Sequence, residues 1–374
     1  MDLLTLRDQI DGIDRQIVEL YEDRMKLCAQ VAEYKIETGK KVFDKKREEE
    51  KIRKAKAMTH NAFNEKGIEE LFEQIMSMSR KLQYQLLAEK GCIGRLPFIG
   101  VDCLETKKAR VVFQGAEGAY SQAAMAEYFG DEVNSFHVDT FRDAMSAIDE
   151  GSADFAVLPI ENSTAGIVSE IYDLLVEFEN YIVGEQIIKI EHCVLGLPGT
   201  DLEQVKTVYS HPQSLMQSSR FLSTRNWQQI SMQNNAFAAQ KVKQDGDPTQ
   251  VAIASEYAAK IYGLDVLKKG VNQSSTNSTR FIIVTNQKIF KKDAGKISIC
   301  FEVPHQSGSL YHMLSHFIYN NLNMCKIESR PIEDRNWEYR FFVDFEGNLA
   351  DSAVKNALRG LRDETRNMKI LGNY

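Results

Sequence analysis

Leu6, Ile10, Ile13, Ile17, Leu20, Leu27 and Val31 recur at steps of four and three, which puts them on one seam of a long helix. Two cations fall into the same rhythm. Arg24 lies four after Leu20, and Lys35 lies four after Val31. Eleven helical residues turn through about 1100°, so Arg24 and Lys35 point within ~20° of each other, ~16 Å apart along the axis. Unpaired buried cations are costly, so the two either reach water or enclose an anion. A small dianionic ligand in a helical bundle is the sharper expectation. Asp2 or Thr5 suits the start of this helix and Gly39 its end. Further helices are expected at about 44–58 and 65–90, in a stretch with only Gly12, Gly39 and Gly67 and no proline before Pro97. Two short helices cannot cover the stripe of so long a partner, which predicts an intertwined dimer with the first helices of two chains packed together.

Residues 91–108 read as a linker. From Arg110 the period changes, and short apolar runs at 111–113, 155–159, 181–190, 205–209, 251–254 and 281–285 alternate with helical patterns, as in an α/β segment. The 181–190 run, after a helix at 166–178, marks passage into a second lobe. From Gly295 the order is strand (297–303), helix (309–320), strand (324–331), strand (338–345) and helix (352–365), a unit of sensor size.

The chain has 374 residues, enough for two or three domains, with an ordinary 43% hydrophobic and 26% charged composition. No apolar run reaches the ~20 residues of a membrane span, and the N-terminus carries acids where a signal peptide would be apolar. A cytoplasmic protein is expected. Residues 1–90 hold 18 Lys and Arg against 18 Asp and Glu, so the remainder carries the whole net charge of −7. A nucleic-acid binder would instead concentrate positive charge on one domain. Cys28, Cys92, Cys103, Cys193, Cys300 and Cys325 have no regular spacing and read as reduced thiols. His312 and His316 stand at i,i+4 without a nearby acid in sequence, more a helix surface than a metal site. No metal and no cofactor are expected.

On the second helix Asp44, Arg47 and Glu48 share a face. Ser79 and Gln83 do so on the third. Read alone, these are surface polar groups and a cap. Joined to Arg24 and Lys35, they suit a rigid ligand with two carboxylates and a hydroxyl. With no nucleophile in the segment, a reaction there would rest on orientation and electrostatic stabilisation. The strings LLTLRDQIDGIDRQIVELYEDRMKLCAQVAEYK, DKKREEE and SRKLQ resemble the all-helical chorismate mutase domain over about residues 3–88. The resemblance implies that Arg24, Lys35 and Arg47 meet the substrate carboxylates, and that Lys35 and Gln83 donate to the ether oxygen. Glu48, with the backbone at Asp44, would hold the ring hydroxyl, and Ser79 would help at a carboxylate. It also places Arg7 in the site. Arg7 lies ~25 Å from Arg24 along the axis and about 100° off its face, so the partner's antiparallel helix must deliver it.

GAEGAYSQAA (115–124), LPIENSTAG (158–166), YSHPQS (209–214) and NSTRF (277–281) resemble prephenate dehydratase over about 109–290. Each string alone could be loop chemistry; four in order are specific. The implied fold is two α/β lobes around a cleft, like periplasmic binding proteins. Asn162, Ser163 and Thr164 would line one wall, and Ser210 and Gln213 the other. Arg280 would fork onto a substrate carboxylate, and Thr279 would assist departure of the ring hydroxyl, as proton donor or as positioning group. Glu161 reads as structural or orienting. Ala119 stands where the family often has serine. IESRP (327–331), with Gly308, Ser309 and Leu310, resembles an ACT regulatory domain of the phenylalanine-sensing type. Gly308, Ser309, Leu310, Glu328, Ser329, Arg330 and Pro331 would then bind phenylalanine where two such domains pair.

The implied architecture is multidomain. It has an N-terminal all-α three-helix chorismate mutase as an intertwined dimer (1–90) and a linker (91–108). A central two-lobed α/β prephenate dehydratase (109–290) and a C-terminal α+β ACT domain (295–374) follow. The implied function is bifunctional: chorismate to prephenate, then prephenate to phenylpyruvate, inhibited by phenylalanine, in a homodimer or higher homo-oligomer. Two other classes compete: a two-lobed small-molecule sensor that keeps mutase activity but has lost dehydratase chemistry, and a nucleic-acid role for the helical domain.

Overall fold

The computed structural model describes residues 2–91, 96–130, 133–303, 305–306, 308–333 and 335–374. Cys92, residues 92–95 of the expected linker and Pro304 lie outside them. Three helices open the chain: α1 (Leu3–Thr38), α2 (Lys45–Lys56) and α3 (Ala62–Glu89). Asp2 caps α1 by accepting from Thr5 N, and Gly39 ends it in the left-handed conformation at φ 67°. At ~1.5 Å per residue α1 is about 54 Å long.

The middle of the chain runs β1 (Ile99–Val101), β2 (Arg110–Gln114), α4 (Tyr120–Phe129), β3 (Asn134–Val138), α5 (Phe141–Asp149), β4 (Phe155–Asn162), β5 (Gly166–Ile167), α6 (Ser169–Glu177) and β6 (Tyr181–Lys189). It continues through β7 (Cys193–Gly196), β8 (Thr207–Ser210), α7 (Pro212–Gln217), α8 (Ser219–Leu222), β9 (Gln228–Ser231), α9 (Asn235–Asp245), β10 (Gln250–Ala254), α10 (Glu256–Tyr262), β11 (Asp265–Lys268), β12 (Ser278–Thr285) and β13 (Ile289–Lys291). The last segment is β14 (Lys296–Glu302), α11 (Ser309–Tyr319), β15 (Met324–Pro331), β16 (Tyr339–Glu346), α12 (Ser352–Glu364) and β17 (Arg366–Asn373).

The chain forms two compact units, Met1–Phe98 with Lys292–Ile370, and Ile99–Lys291 with Leu371–Tyr374. In the first, α3 packs on α1, α2, α11 and α12. The contacts with α12 and α11 are polar and buried: Tyr84 Oη donates to Asp363 Oδ2 of α12 at 2.6 Å, and Lys81 Nζ donates to Ser315 Oγ of α11 at 3.1 Å. Burial pushes Lys81 down to about 7. The strands β15, β16 and β14 pair antiparallel in that order, leaving β15 at an edge. His316 is not on a helix surface; it is 1% exposed, and its Nε2 lies 3.2 Å from Glu364 Oε1. Acids that are remote in sequence thus approach both histidines, since His312 Nε2 lies 3.6 Å from Glu73. Among the described residues no group of three or more His, Cys, Asp or Glu could hold a metal ion, and no helix is long and apolar enough to cross a membrane.

The second unit has two lobes. One sheet runs β6–β12–β4–β2–β3 and the other β11–β7–β10–β8–β9. Their cores are separate, Phe113, Val157 and Ile283 in the first lobe and Leu195, Ala252 and Ala254 in the second. The 181–190 run does not open the second lobe. As β6 it pairs antiparallel with β12 of the first, and the chain crosses after it. Residues 99–101 of the expected linker form β1, parallel to β13. The short strands β3, β7, β9 and β11 were not anticipated. β3 (NSFHV) and β9 (QQIS) are mostly exposed and carry no apolar period.

Candidate active sites

The helical segment brings most of its expected residues to one face of α3. Arg24 Nη1 donates to Ser79 Oγ, and Ser79 Oγ donates to Ile75 O at 2.7 Å. Lys35 Nζ donates to Val42 O at 2.8 Å, and burial pushes its pKa below the ordinary lysine value. Asp44 caps α2 by accepting from Arg47 N at 3.1 Å. Glu48, on the inner face of α2, accepts from Arg80 Nη1. Burial raises the Glu48 carboxyl above its ordinary range, against the pull of Arg80. Gln83 Nε2 donates to Ser79 O at 3.1 Å, while its Oε1 is buried with no partner among the described residues. That orphaned amide oxygen marks a place that a polar ligand would complete.

Two expected members stand apart. Arg47 points outward, with Nη1 3.6 Å from Glu50 and its side chain 60% exposed. Arg7 is exposed near the start of α1. Arg24 and Lys35 sit at a border on α1. On one side Cys28 and Ala32 turn toward α3, and on the other the apolar seam is open, from Leu6 at 41% to Leu20 at 69% exposed. Arg80 was missed; it stands inside SRKLQ between Ser79 and Gln83.

In the second unit an open cleft of about 520 Å³ is lined by Tyr120, Asn162, His192, Gln213, Gln217 and Thr279, among others. A cavity of about 210 Å³ shares Tyr120, Pro159, His211, Asn235 and Thr279 with it. Thr279 stands opposite Asn162 in the β12–β4 register. Asn162 is fixed by its own loop, since its Oδ1 accepts from Thr164 N at 3.0 Å and Ala165 N at 2.9 Å. Its Nδ2 donates to Asn277 Oδ1 and to Thr279 Oγ1, each at 2.9 Å. Thr279 thus acts as an acceptor here, and among the described residues nothing takes its hydroxyl proton.

Gln217, from α7 of the second lobe, spans to the first. Its Nε2 donates to Thr164 Oγ1 at 3.0 Å, and its Oε1 accepts from Asn277 Nδ2 at 3.2 Å. The same Oε1 lies 2.9 Å from His192 Nε2, and His192 Nδ1 lies 3.1 Å from Tyr120 Oη. Burial holds His192 below its ordinary pKa, so the imidazole is neutral. Gln217, His192, Tyr120 and Asn277 were not singled out from sequence. Gln217 lies three residues past YSHPQS, and Asn277 opens NSTRF unremarked.

Three expected positions sit elsewhere. Ser210 is wholly buried and donates to Ile253 O at 2.6 Å, holding the second-lobe sheet rather than facing the cleft. Ser163 Oγ accepts from Ser278 N at 3.0 Å, a strand-end link. Arg280 does not line the cleft; neighbouring strand residues face opposite ways, and it pairs with Glu161 at 3.1 Å and Glu185 at 3.4 Å. Ala119 lines the smaller cavity and brings no hydroxyl.

Of the expected effector residues, Gly308 precedes α11 with φ 79°, where a side chain would be strained. Glu328, Ser329, Arg330 and Pro331 lie on the edge strand β15, opposite Phe342, Phe341, Arg340 and Tyr339 of β16.

Comparison with known proteins matches both segments. Residues 6–84 match the model of chorismate mutase type II, and residues 111–289 that of prephenate dehydratase. A bifunctional chorismate mutase/prephenate dehydratase of Enterobacter agglomerans is 33% identical over 381 residues, covering 100% of this chain and 95% of the relative. The prephenate dehydratase of Arthrobacter aurescens, solved in complex with L-Phe, is 27% identical over 71% of this chain and 89% of its own, with a TM-score of 0.66. A protein described as a novel type of quorum-quenching acylase, GqqA, is 31% identical over 71% of this chain and 97% of its own, with a TM-score of 0.64. With a third of positions identical from end to end, the chain belongs to the bifunctional chorismate mutase/prephenate dehydratase family.

Proposed function

We propose that the helical segment rearranges chorismate to prephenate and that the two-lobed cleft converts prephenate to phenylpyruvate, carbon dioxide and water. In the first reaction one C–O bond breaks as one C–C bond forms. The protein supplies no nucleophile. Arg24 and Lys35 hold carboxylates, and Lys35 meets the negative charge that grows on the ether oxygen; Gln83 would join it by turning its Nε2 from Ser79 O to the ligand. Charge stabilisation in a half-buried site is strong enough to carry most of such a rate enhancement. Glu48 accepts from the ring hydroxyl. Arg47 would have to turn inward, and Arg7 would come from a second copy. The exposed seam of α1 supports an intertwined homodimer in which that second copy covers Ile10, Ile13 and Ile17, each more than half exposed.

A charge on that seam should part the two α1 helices. Ile13→Asp with Ile17→Asp is expected to remove mutase activity, leaving dehydratase activity within about twofold. A full mutase rate in this variant contradicts the shared site.

The observation that carries the dehydratase reading is the Asn162–Thr279 hydrogen bond. Asn162 Nδ2 occupies a lone pair of Thr279 Oγ1, which leaves the hydroxyl proton to point at a substrate oxygen. Thr279 then hydrogen-bonds to the departing ring hydroxyl, which leaves as water with a proton taken up from solvent, as the C–C bond to the carboxylate breaks, carbon dioxide leaves and the ring becomes aromatic. Gln217 and Gln213 face the same space. Arg280 would reach a carboxylate only by leaving Glu161 and Glu185. Residues 295–374 read as an ACT domain that pairs through the edge of β15 and takes phenylalanine near Gly308, Ser309, Leu310 and 328–331. Prephenate supplied directly, with and without phenylalanine, tests this. Phenylpyruvate should form without a cofactor, and phenylalanine should slow it. Prephenate bound but unchanged would favour the sensor reading.

A further inference from the structure

Arg80 is the most deeply buried charged group of α3 to which the reaction gives no part. Its side chain is 8% exposed. Nη1 donates to Glu48, Nε donates to Glu364 Oε1 at 2.8 Å, and Nη2 donates to Glu364 Oε2 at 3.3 Å. The Phe43 ring centroid lies 5.2 Å from the guanidinium carbon. Glu364 is 7% exposed, and α12 is anchored beside it by the Tyr84–Asp363 hydrogen bond. A guanidinium held along its Nε–Nη2 edge by both oxygens of one carboxylate has its plane fixed, so the remaining Nη1 can point in one direction only.

We propose that Arg80 is a positioning residue for Glu48, and that Glu364 of the C-terminal segment fixes Arg80, so that α12 sets the geometry of the mutase site. The inference rests on Glu48 belonging to that site. Lysine could not replace Arg80, because one ammonium cannot fork onto Glu364 and also reach Glu48 with fixed direction. The arrangement gives the C-terminal segment a direct hold on a mutase group through two charged hydrogen bonds in series.

The groups facing Glu48 are Lys35 of α1, Arg80 of α3 and Glu364 of α12, with Asp44 at the head of its own helix. Burial raises Glu48, Arg80 opposes the rise, and the Glu364 charge adds to it. Removing the Arg80 charge should therefore move the acid limb of the mutase pH profile upward. Removing the Glu364 charge should move it downward. A merely structural role would lower rates without moving the limb.

The full-length chain carrying Arg80→Gln, Arg80→Lys, Glu364→Gln or Glu48→Gln is assayed for mutase kcat and KM across pH, and for dehydratase activity as a folding control. Arg80→Gln should lower mutase kcat more than tenfold, and Glu364→Gln at least threefold. KM should stay within twofold, the limbs should move in opposite directions, and the dehydratase should hold within twofold. Arg80→Lys keeps the charge without the fork, so it should lower kcat with little movement of the limb. Full mutase kcat and an unmoved limb in Glu364→Gln, with Glu48→Gln inactive, would overturn the relay and leave the site assignment standing. Glu48→Gln at the parent rate would overturn the site assignment itself.

Discussion

Thr279→Ala stops phenylpyruvate formation, lowering its rate on the order of a hundredfold or more, while chorismate disappears at the parent rate and prephenate accumulates. The size follows from the geometry. The Thr279 hydroxyl sits where two cavities meet, its oxygen engaged by Asn162 and its proton free. Alanine removes the only group on β12 at that point able to donate to a leaving hydroxyl. The cleft survives, since only Oγ1 and Cγ2 are lost and the β12 ladder on both sides is backbone. Thr279→Ser keeps the hydroxyl and should retain activity within about tenfold. Phenylpyruvate formed by Thr279→Ala at the parent rate, measured from its absorbance in alkali, would contradict the dehydratase assignment.

Lys35→Ala produces the mirror result. Mutase turnover falls by roughly a hundredfold to a thousandfold, the range seen when one preorganised charge donor is lost, and prephenate supplied directly is still converted. Arg7→Ala has a similar effect for a different reason. Arg7 is exposed near the far end of the helix that carries Lys35, and in the proposed dimer it would complete the site of the other copy. Mixing the two variants then creates dimers with one intact site. About a quarter of parent mutase activity should return after subunit exchange. No recovery, with exchange proven by mass, contradicts the shared site. The lowered pKa of Lys35 adds a pH signature. A lysine pushed down by burial loses its charge at lower pH than an exposed one. Parent mutase activity should therefore fall on the alkaline side before an ordinary lysine would titrate.

The helices were legible because an apolar residue every three or four positions is a strong signal over thirty residues, and the seam is as open as that period implied. The same period placed Arg24 and Lys35 together. It could not place Arg80, because the partner that gives Arg80 meaning, Glu364, lies 284 residues away. Arg280 shows the opposite failure. Strand alternation in the sequence already put it on the other face from Thr279, yet the string NSTRF drew both toward the cleft. Ser210 went the same way, a polar residue in a quoted string that proves wholly buried. Gln217 escaped because its role depends on α7 crossing to the first lobe, which no local pattern encodes. The last strand, β17, was missed because RNMKILGN has no clean alternation and follows a strong helix.

The most direct measurement gives chorismate alone to the purified full-length chain and follows chorismate, prephenate and phenylpyruvate over time. Prephenate should rise first and phenylpyruvate follow, with the sum of the three constant and the second step slowed by added phenylalanine. Chorismate left unchanged, or prephenate that accumulates without ever becoming phenylpyruvate, would contradict two working sites on one chain.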